Sequence, residues 1–208
     1  MIAVIDYGAG NLASVVNALE RIGVPTDVTT DHTVISRAEG VIFPGVGAAA
    51  DTMKHVHALH LEPVIRQVIA AGTPFLGICM GMQVMMTASL EGGEHECLNV
   101  VPGFVRRLPA GLPVPHMGWN QVWQTKSHPI YAEIPDGAEF YFVHSYYVDP
   151  IDPEWVGATT DYGLVFPSVF IRDNLIATQF HPEKSGKWGL QLLSNFSQVV
   201  ATQHSRVA

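Results

Sequence analysis

The cysteine of Gly77-Ile78-Cys79-Met80-Gly81 is the residue of this chain best placed to do covalent chemistry. An apolar run, Pro74-Phe75-Leu76, leads into it, and Met80-Gly81-Met82-Gln83 follows. The segment reads as a strand turning sharply into a Met-rich helix, a geometry that lifts one side chain above the end of a sheet. Glycine suits the flanking positions because a Cβ there would crowd the facing backbone. At a helix start, the positive end of the backbone dipole favours the thiolate, the form that attacks. A lone cysteine is more commonly a small buried hydrophobe; the paired glycines argue against that here.

A nucleophilic thiol needs a base. Leu175-Ile176-Ala177-Thr178-Gln179-Phe180 is strand-like and delivers His181-Pro182-Glu183. Pro182 biases His181 towards an extended backbone. Residues i and i+2 of such a backbone point the same way, so Glu183 is expected beside the imidazole. A carboxylate on one ring nitrogen fixes the tautomer and leaves the other nitrogen for the thiol proton. Taken alone, His-Pro-Glu reads equally well as a surface turn. A third segment, Gly40-Val41-Ile42-Phe43-Pro44-Gly45-Val46-Gly47, is a buried strand ending in a glycine-rich turn. Its N–H groups at Val46 and Gly47, with that of Met80, are candidates for an oxyanion hole. An ordinary strand-ending turn explains it as well on local grounds.

The surrounding pattern supplies elements to hold these residues. Ile2–Asp6 reads as a strand. Leu12, Val15, Val16, Leu19 and Ile22 form a helical stripe ahead of Gly23. Strands follow near Val24–Thr29 and Val41–Phe43. Leu61, Val64, Ile65, Val68 and Ile69 make a second stripe, closed by Gly72. The alternation predicts an α/β fold, a mostly parallel sheet with helices on both faces. Ligands of such sheets sit beyond the carboxyl ends of the strands, where Gly45–Gly47 and Cys79 both fall. After Cys97 the chain turns β-rich, through Val100–Leu108, Gln121–Gln124, Glu139–Val143, Trp155–Thr160 and Ser168–Ile176. A closing helix is expected between Gly186 and Val200, with Leu190, Leu193, Phe196 and Val200 inward. No repeat or linker interrupts residues 1–208, which read as a single domain.

Gly-Ile-Cys-Met-Gly-Met-Gln followed by Gln179-Phe180-His181-Pro182-Glu183-Lys184-Ser185 resembles the class I, triad-type glutamine amidotransferases. Further motifs fall in order: Ile5-Asp6-Tyr7-Gly8-Ala9-Gly10-Asn11-Leu12, Pro44-Gly45-Val46-Gly47, Pro115-His116-Met117-Gly118-Trp119-Asn120 and Tyr141-Phe142-Val143-His144-Ser145-Tyr146. Together they are similar, end to end, to glutaminase subunits of imidazole glycerol phosphate synthase, from histidine biosynthesis. The resemblance implies a flavodoxin-like architecture with an added β-rich region in the second half. It implies Cys79, His181 and Glu183 as the catalytic triad, and Val46, Gly47 and Met80 at the oxyanion hole. Glutamine would be held by Gly47, Gln83, Ser145 and Tyr146. Ammonia would pass to a separate cyclase subunit, a (β/α)8 barrel, across contacts that include Asn11, Trp119, Tyr141 and Lys184. No cofactor or metal is implied.

Composition is consistent with this. Apolar residues make up 48% of 208 positions, and none of the runs approaches the roughly 20 residues of a membrane span. The start, Met1-Ile2-Ala3-Val4-Ile5-Asp6, lacks the basic region of a signal peptide. Two cysteines, Cys79 and Cys97, make no disulfide framework and suit a reducing cytoplasm. A formal charge of −8 disfavours a nucleic-acid surface. The sharpest rival from another class is a dinucleotide-binding protein, since Gly8-Ala9-Gly10-Asn11-Leu12-Ala13 opens a helix with Asp27 and Asp31 about 20 residues on. It leaves Cys79 and His181-Pro182-Glu183 unexplained. Other readings are a glutaminase for a guanylate, anthranilate or pyridoxal phosphate synthase, another cysteine hydrolase, and a non-catalytic binding module. His55, His57 and His60 lack the i, i+4 spacing of a helical metal site, Cys97 reads as structural, and Met80, Met82, Met85 and Met86 as core.

Overall fold

The computed structural model describes residues 1–8 and 12–207. The first half alternates as expected: β1 (Ile2–Ile5), α1 (Leu12–Arg21), β2 (Thr26–Thr29), α2 (His32–Arg37), β3 (Gly40–Gly45), α3 (Ala49–Ala58), α4 (Leu61–Ala70), β4 (Phe75–Cys79) and α5 (Met80–Gln83). Strands then dominate: β5 (Met86–Ser89), β6 (His95–Glu96), β7 (Val101–Arg107), β8 (His116–Gln124), β9 (Ala138–His144), β10 (Tyr146–Pro150), β11 (Val156–Asp161), β12 (Val165–Arg172) and β13 (Leu175–Thr178). The long helix α6 (Gly186–Val207) closes the chain.

Among the described residues, a nine-stranded sheet runs in the order β2-β1-β3-β4-β13-β12-β11-β8-β9. The strands from β2 to β13 are parallel, and those from β13 to β9 antiparallel. Much of the β-rich second half therefore extends the first sheet. The remainder forms a four-stranded sheet, β10-β7-β5-β6. Alternation within the parallel strands divides two cores. Ala3, Ile5, Val41, Phe43 and Phe75 pack with the buried residues of α3 and α4, while Ile2, Val4, Ile42, Leu76 and Ile78 pack with those of α1 and α6. Strands covered on both faces must be apolar throughout, and every residue of β1, β3, β4 and β13 is buried. A β12–β13 turn at Asp173-Asn174 fixes the height of β13 against β4. The Asn174 amide donates to the Ile69 and Thr73 carbonyls at 3.0 and 2.6 Å, and its own carbonyl accepts from the Phe75 N–H at 2.9 Å.

The Met-rich helix is shorter than its composition suggests. Helix α5 is four residues long, and the chain returns as β5 from Met86. Met80, Met82, Met85 and Met86 are all buried, so the stretch has no polar face to present to water and cannot run along the surface as an amphipathic helix. Its first turn is nonetheless tightly held. A Cβ at Gly77 would lie 2.7 Å from the Gly81 carbonyl oxygen, and one at Gly81 would overlap the Phe43 carbonyl oxygen. Gly81→Ala is therefore expected to cost stability by about 1–3 kcal/mol or more, read as a lower midpoint in urea unfolding. An unchanged midpoint would show that α5 can lift off β3 freely.

Candidate active site

Three neighbouring parallel strands end at the same level. Gly45 of β3 lies opposite Cys79 of β4, and Thr178 of β13 lies opposite Ile78, with His181 three residues on. Cys79 sits at φ 53°, ψ −102°, a sparsely populated backbone for a residue with a Cβ. The Gly77 and Gly81 contacts hold it there. Because α5 is a single turn, its macrodipole is small; the free N–H groups of that turn are what remain to favour negative charge. The Gln179 amide donates to the Cys79 sulfur at 3.6 Å. Gln83 donates to Gln179 Oε1 at 3.1 Å and to the Tyr146 carbonyl at 3.0 Å.

His181 is extended at φ −101°, ψ 96°, as Pro182 requires. Glu183 reaches it by a different route from the one the sequence suggests. Pro182–Lys184 form one 3₁₀ turn, not an extended run, and this turn swings the carboxylate back under the ring. His181 Nδ1–H donates to Glu183 Oε1 at 2.8 Å, with side-chain exposures of only 2% and 1%. That bond sets the tautomer and leaves Nε2 for Cys79, on the cavity that both residues line. Burial alone would lower the basicity of this imidazole. Cys79 and Glu183, both favouring the charged ring, outweigh it and push the pKa up to about 10. The loop is clipped to β9: the His181 N–H donates to the Tyr141 carbonyl at 3.0 Å, and Ser185 Oγ donates to the His181 carbonyl while accepting from the Tyr141 N–H.

The cavity has a volume of about 320 Å³. Val46, Gly47, Cys79, Met80, Gln83, Ser145, Tyr146 and His181 all line it, so the structure brings together the predicted nucleophile, base, oxyanion and glutamine-binding residues. Gly47, at φ 99°, adopts a conformation that favours glycine. Beneath this strap, the buried Tyr7 hydroxyl faces the Val46 backbone and Thr52; burial raises its pKa against those two donors. The sequence reading missed four lining residues: Glu91, Pro115, Val143 and His144. The last three lie inside quoted motifs and could have been found; nothing local marks Glu91.

Trp119, Tyr141 and Lys184 stand outside the cavity. Trp119 of β8 is 55% exposed and meets Tyr141 of β9 edge-on at 6.2 Å, and Lys184 is exposed on the 3₁₀ turn. Asn11 lies outside the described residues, as do Ala9 and Gly10 of the glycine-rich turn. Asp31 is occupied as the N-cap of α2, accepting from Thr33 and Val34. His55 donates to the Asp51 carbonyl, His57 meets Glu62 at 3.1 Å, and His60 occupies the left-handed corner between α3 and α4. Among the described residues no three His, Cys, Asp or Glu side chains cluster as a metal site. Cys97 is a buried residue just after β6, its N–H on the Thr87 carbonyl of β5, and burial pushes its thiol up to about 11.

A family model described as glutamine amidotransferase class-I matches residues 3–199. The chain belongs to that family. This amidotransferase is 56% identical over 201 residues to the imidazole glycerol phosphate synthase subunit HisH of Chloroflexus aurantiacus, covering 94% of each chain. It is 53% identical to the protein of the same name from Herpetosiphon aurantiacus, over 100% of this chain and 98% of that one. Among solved structures, one titled "Crystal structure of glutamine amidotransferase" shares the fold at TM-score 0.76 and 17% identity, over 97% of this chain and 100% of that one. PurLQS from Thermotoga maritima matches at TM-score 0.75 and 16% identity, over 96% and 98%.

Two outcomes are expected of this amidotransferase. In Glu183→Gln the His181 ring should titrate at lower pH than in the wild type, followed by NMR of labelled histidine. A folded-state pKa raised above the unfolded value of about 6.5 gives stability that is complete below that pH and lost as pH rises towards about 10. The wild type's gain over Glu183→Gln should fade across that window. Second, an electrophilic glutamine analogue should label Cys79 stoichiometrically and leave Cys97 untouched, since burial holds the latter in its unreactive thiol form. Equal labelling in mass spectra would count against Cys79 as the special thiol.

Proposed function

We propose that this chain is the glutaminase subunit of an imidazole glycerol phosphate synthase, hydrolysing glutamine through a Cys79 thioester. The observation that carries the chemistry is the convergence of Cys79 and His181 Nε2 on one cavity, with Glu183 on the far ring nitrogen. With the thiol proton resting on Nε2, as the raised basicity of His181 beside Cys79 and Glu183 favours, the sulfur adds as thiolate to the side-chain carboxamide carbon. The N–H of Met80 and the Val46–Gly47 strap receive the oxyanion, an interaction worth about 10²–10³ in rate per donor. As the tetrahedral intermediate collapses, the C–N bond breaks and the Nε2 proton goes to the departing ammonia. Water then attacks the thioester, giving up a proton to Nε2, and glutamate leaves as the thiol re-forms. Glu183 holds the ring and its charge throughout. Gln83, Gly47, Ser145 and Tyr146 orient the glutamine.

The full-length identity to two HisH subunits supports a particular destination for the ammonia. In this reading it crosses to a cyclase subunit, a (β/α)8 barrel bound as a heterodimer at Asn11, Trp119, Tyr141 and Lys184. There it joins the ring-closing step that yields imidazole glycerol phosphate and aminoimidazole carboxamide ribotide. Two free cysteines fit work in a reducing cytoplasm, and among the described residues no helix is long and apolar enough to cross a membrane. Cys79→Ala should abolish glutamine-dependent synthesis by the complex, with a loss of 10⁴-fold or more, and leave synthesis from added ammonium salt intact. Loss of both activities in a folded complex would refute this division of labour.

A further inference from the structure

Two buried histidines stand beside the cavity with no part in the hydrolysis above. His116 Nδ1 lies 2.9 Å from His144 Nε2, and His144 Nδ1 lies 2.8 Å from the Tyr146 carbonyl oxygen. His116 is stacked between Tyr162 and Phe142, at centroid distances of 3.9 and 4.9 Å. His144 packs edge-on to Phe166 at 5.2 Å.

The direction of every bond follows from the chemistry of the ends. A carbonyl only accepts, so His144 carries its proton on Nδ1 and donates to Tyr146. In a neutral ring Nε2 is then an acceptor, so His116 must donate from its own Nδ1. That leaves His116 Nε2 as acceptor, facing the Asn120 amide nitrogen at 3.3 Å. Asn120 can satisfy it: its second amide hydrogen goes to the Asp161 carbonyl at 2.9 Å, and its oxygen accepts from the Gln121 N–H. A proton added to either ring would set N–H against a donor. Burial pushes both in the same direction, His116 down to about 4 and His144 to about 3.

We infer that Asn120, His116 and His144 form a neutral, one-way hydrogen-bond chain whose task is to position the Ser145–Tyr146 backbone of the glutamine site. The Tyr146 carbonyl receives two donors, His144 from one side and Gln83 from the other. Gln83 leads on through Gln179 to the Cys79 sulfur. The chain thus joins β8 to the walls of the cavity through side chains that touch no reacting atom. Its histidines are positioning residues. The inference about glutamine rests on the glutaminase reading; the tautomers do not.

Histidine-labelled nitrogen NMR on the whole chain tests the tautomers directly. Both rings should be neutral and protonated on Nδ1 throughout pH 6–8; an Nε2–H tautomer or a cationic ring in either would overturn the chain. Steady-state glutamate release by the complex tests the role. His144→Phe should raise the KM for glutamine about tenfold with kcat within about threefold, as expected for one buried hydrogen bond. His144→Asn, whose amide takes the place of Nδ1, should recover most of the loss. An unchanged KM in His144→Phe, or no recovery in His144→Asn, would refute the positioning role. Absent glutamate release by the wild-type complex would instead defeat the glutaminase reading and leave the tautomer result standing.

Discussion

Between Gly81 and the carbonyl of Phe43 there is no room for a methyl group, and the rest of the site follows from that contact. It draws the first turn of α5 down onto β3, so Cys79 must leave β4 through a left-handed backbone conformation. A residue held this way lines the cavity beyond the sheet end although it is almost fully buried and packs at the edge of the core shared with α1 and α6. The strain is sustained because neighbouring strands are locked by apolar residues on both faces. Rigidity in the sheet is what makes an uncomfortable cysteine affordable.

The same burial gives opposite charges to neighbouring rings. His181, His144 and His116 are all removed from water, and desolvation alone would keep each neutral. Only His181 faces groups that carry or develop negative charge, Glu183 on one side and Cys79 on the other. His144 faces a carbonyl and a second imidazole, partners that stabilise a neutral ring. The cavity therefore holds both kinds of ring, one built to carry a proton beside Cys79 and one, His144, built to stay neutral. A carboxamide group, uncharged until it reacts and then developing charge on its oxygen and nitrogen, suits the corner beside His181.

Much of this was legible in the sequence, for identifiable reasons. Gly77-x-Cys79-x-Gly81 announces its turn because the glycines answer to local sterics, which a sequence records directly. The stripes of α1 and α4 are periodic because each helix buries one face, and both appear where expected. The way Glu183 reaches His181 was not legible: Pro182 is equally at home in an extended run and at the start of a 3₁₀ turn. Nor was the length of α5, since a run of methionines buried on all sides has no period to read. The antiparallel strands of the large sheet were visible as strands, but their joining the first sheet depends on pairings between distant segments such as Leu76 and Ile176. Glu91 enters the cavity by tertiary accident of its loop and leaves no trace in the pattern.

The clip between Tyr141 and the His181 loop has a consequence for how the molecule keeps to itself. β9 is the last strand of the large sheet, and an outermost strand offers unpaired N–H and C=O groups to any passing chain. At Tyr141 both groups are already taken, the carbonyl by the His181 N–H and the N–H by Ser185. At the opposite border, β2 is only four residues long. Catalytic geometry and resistance to aggregation thus share the same pair of hydrogen bonds: a change that loosened the histidine would also uncover a sticky border.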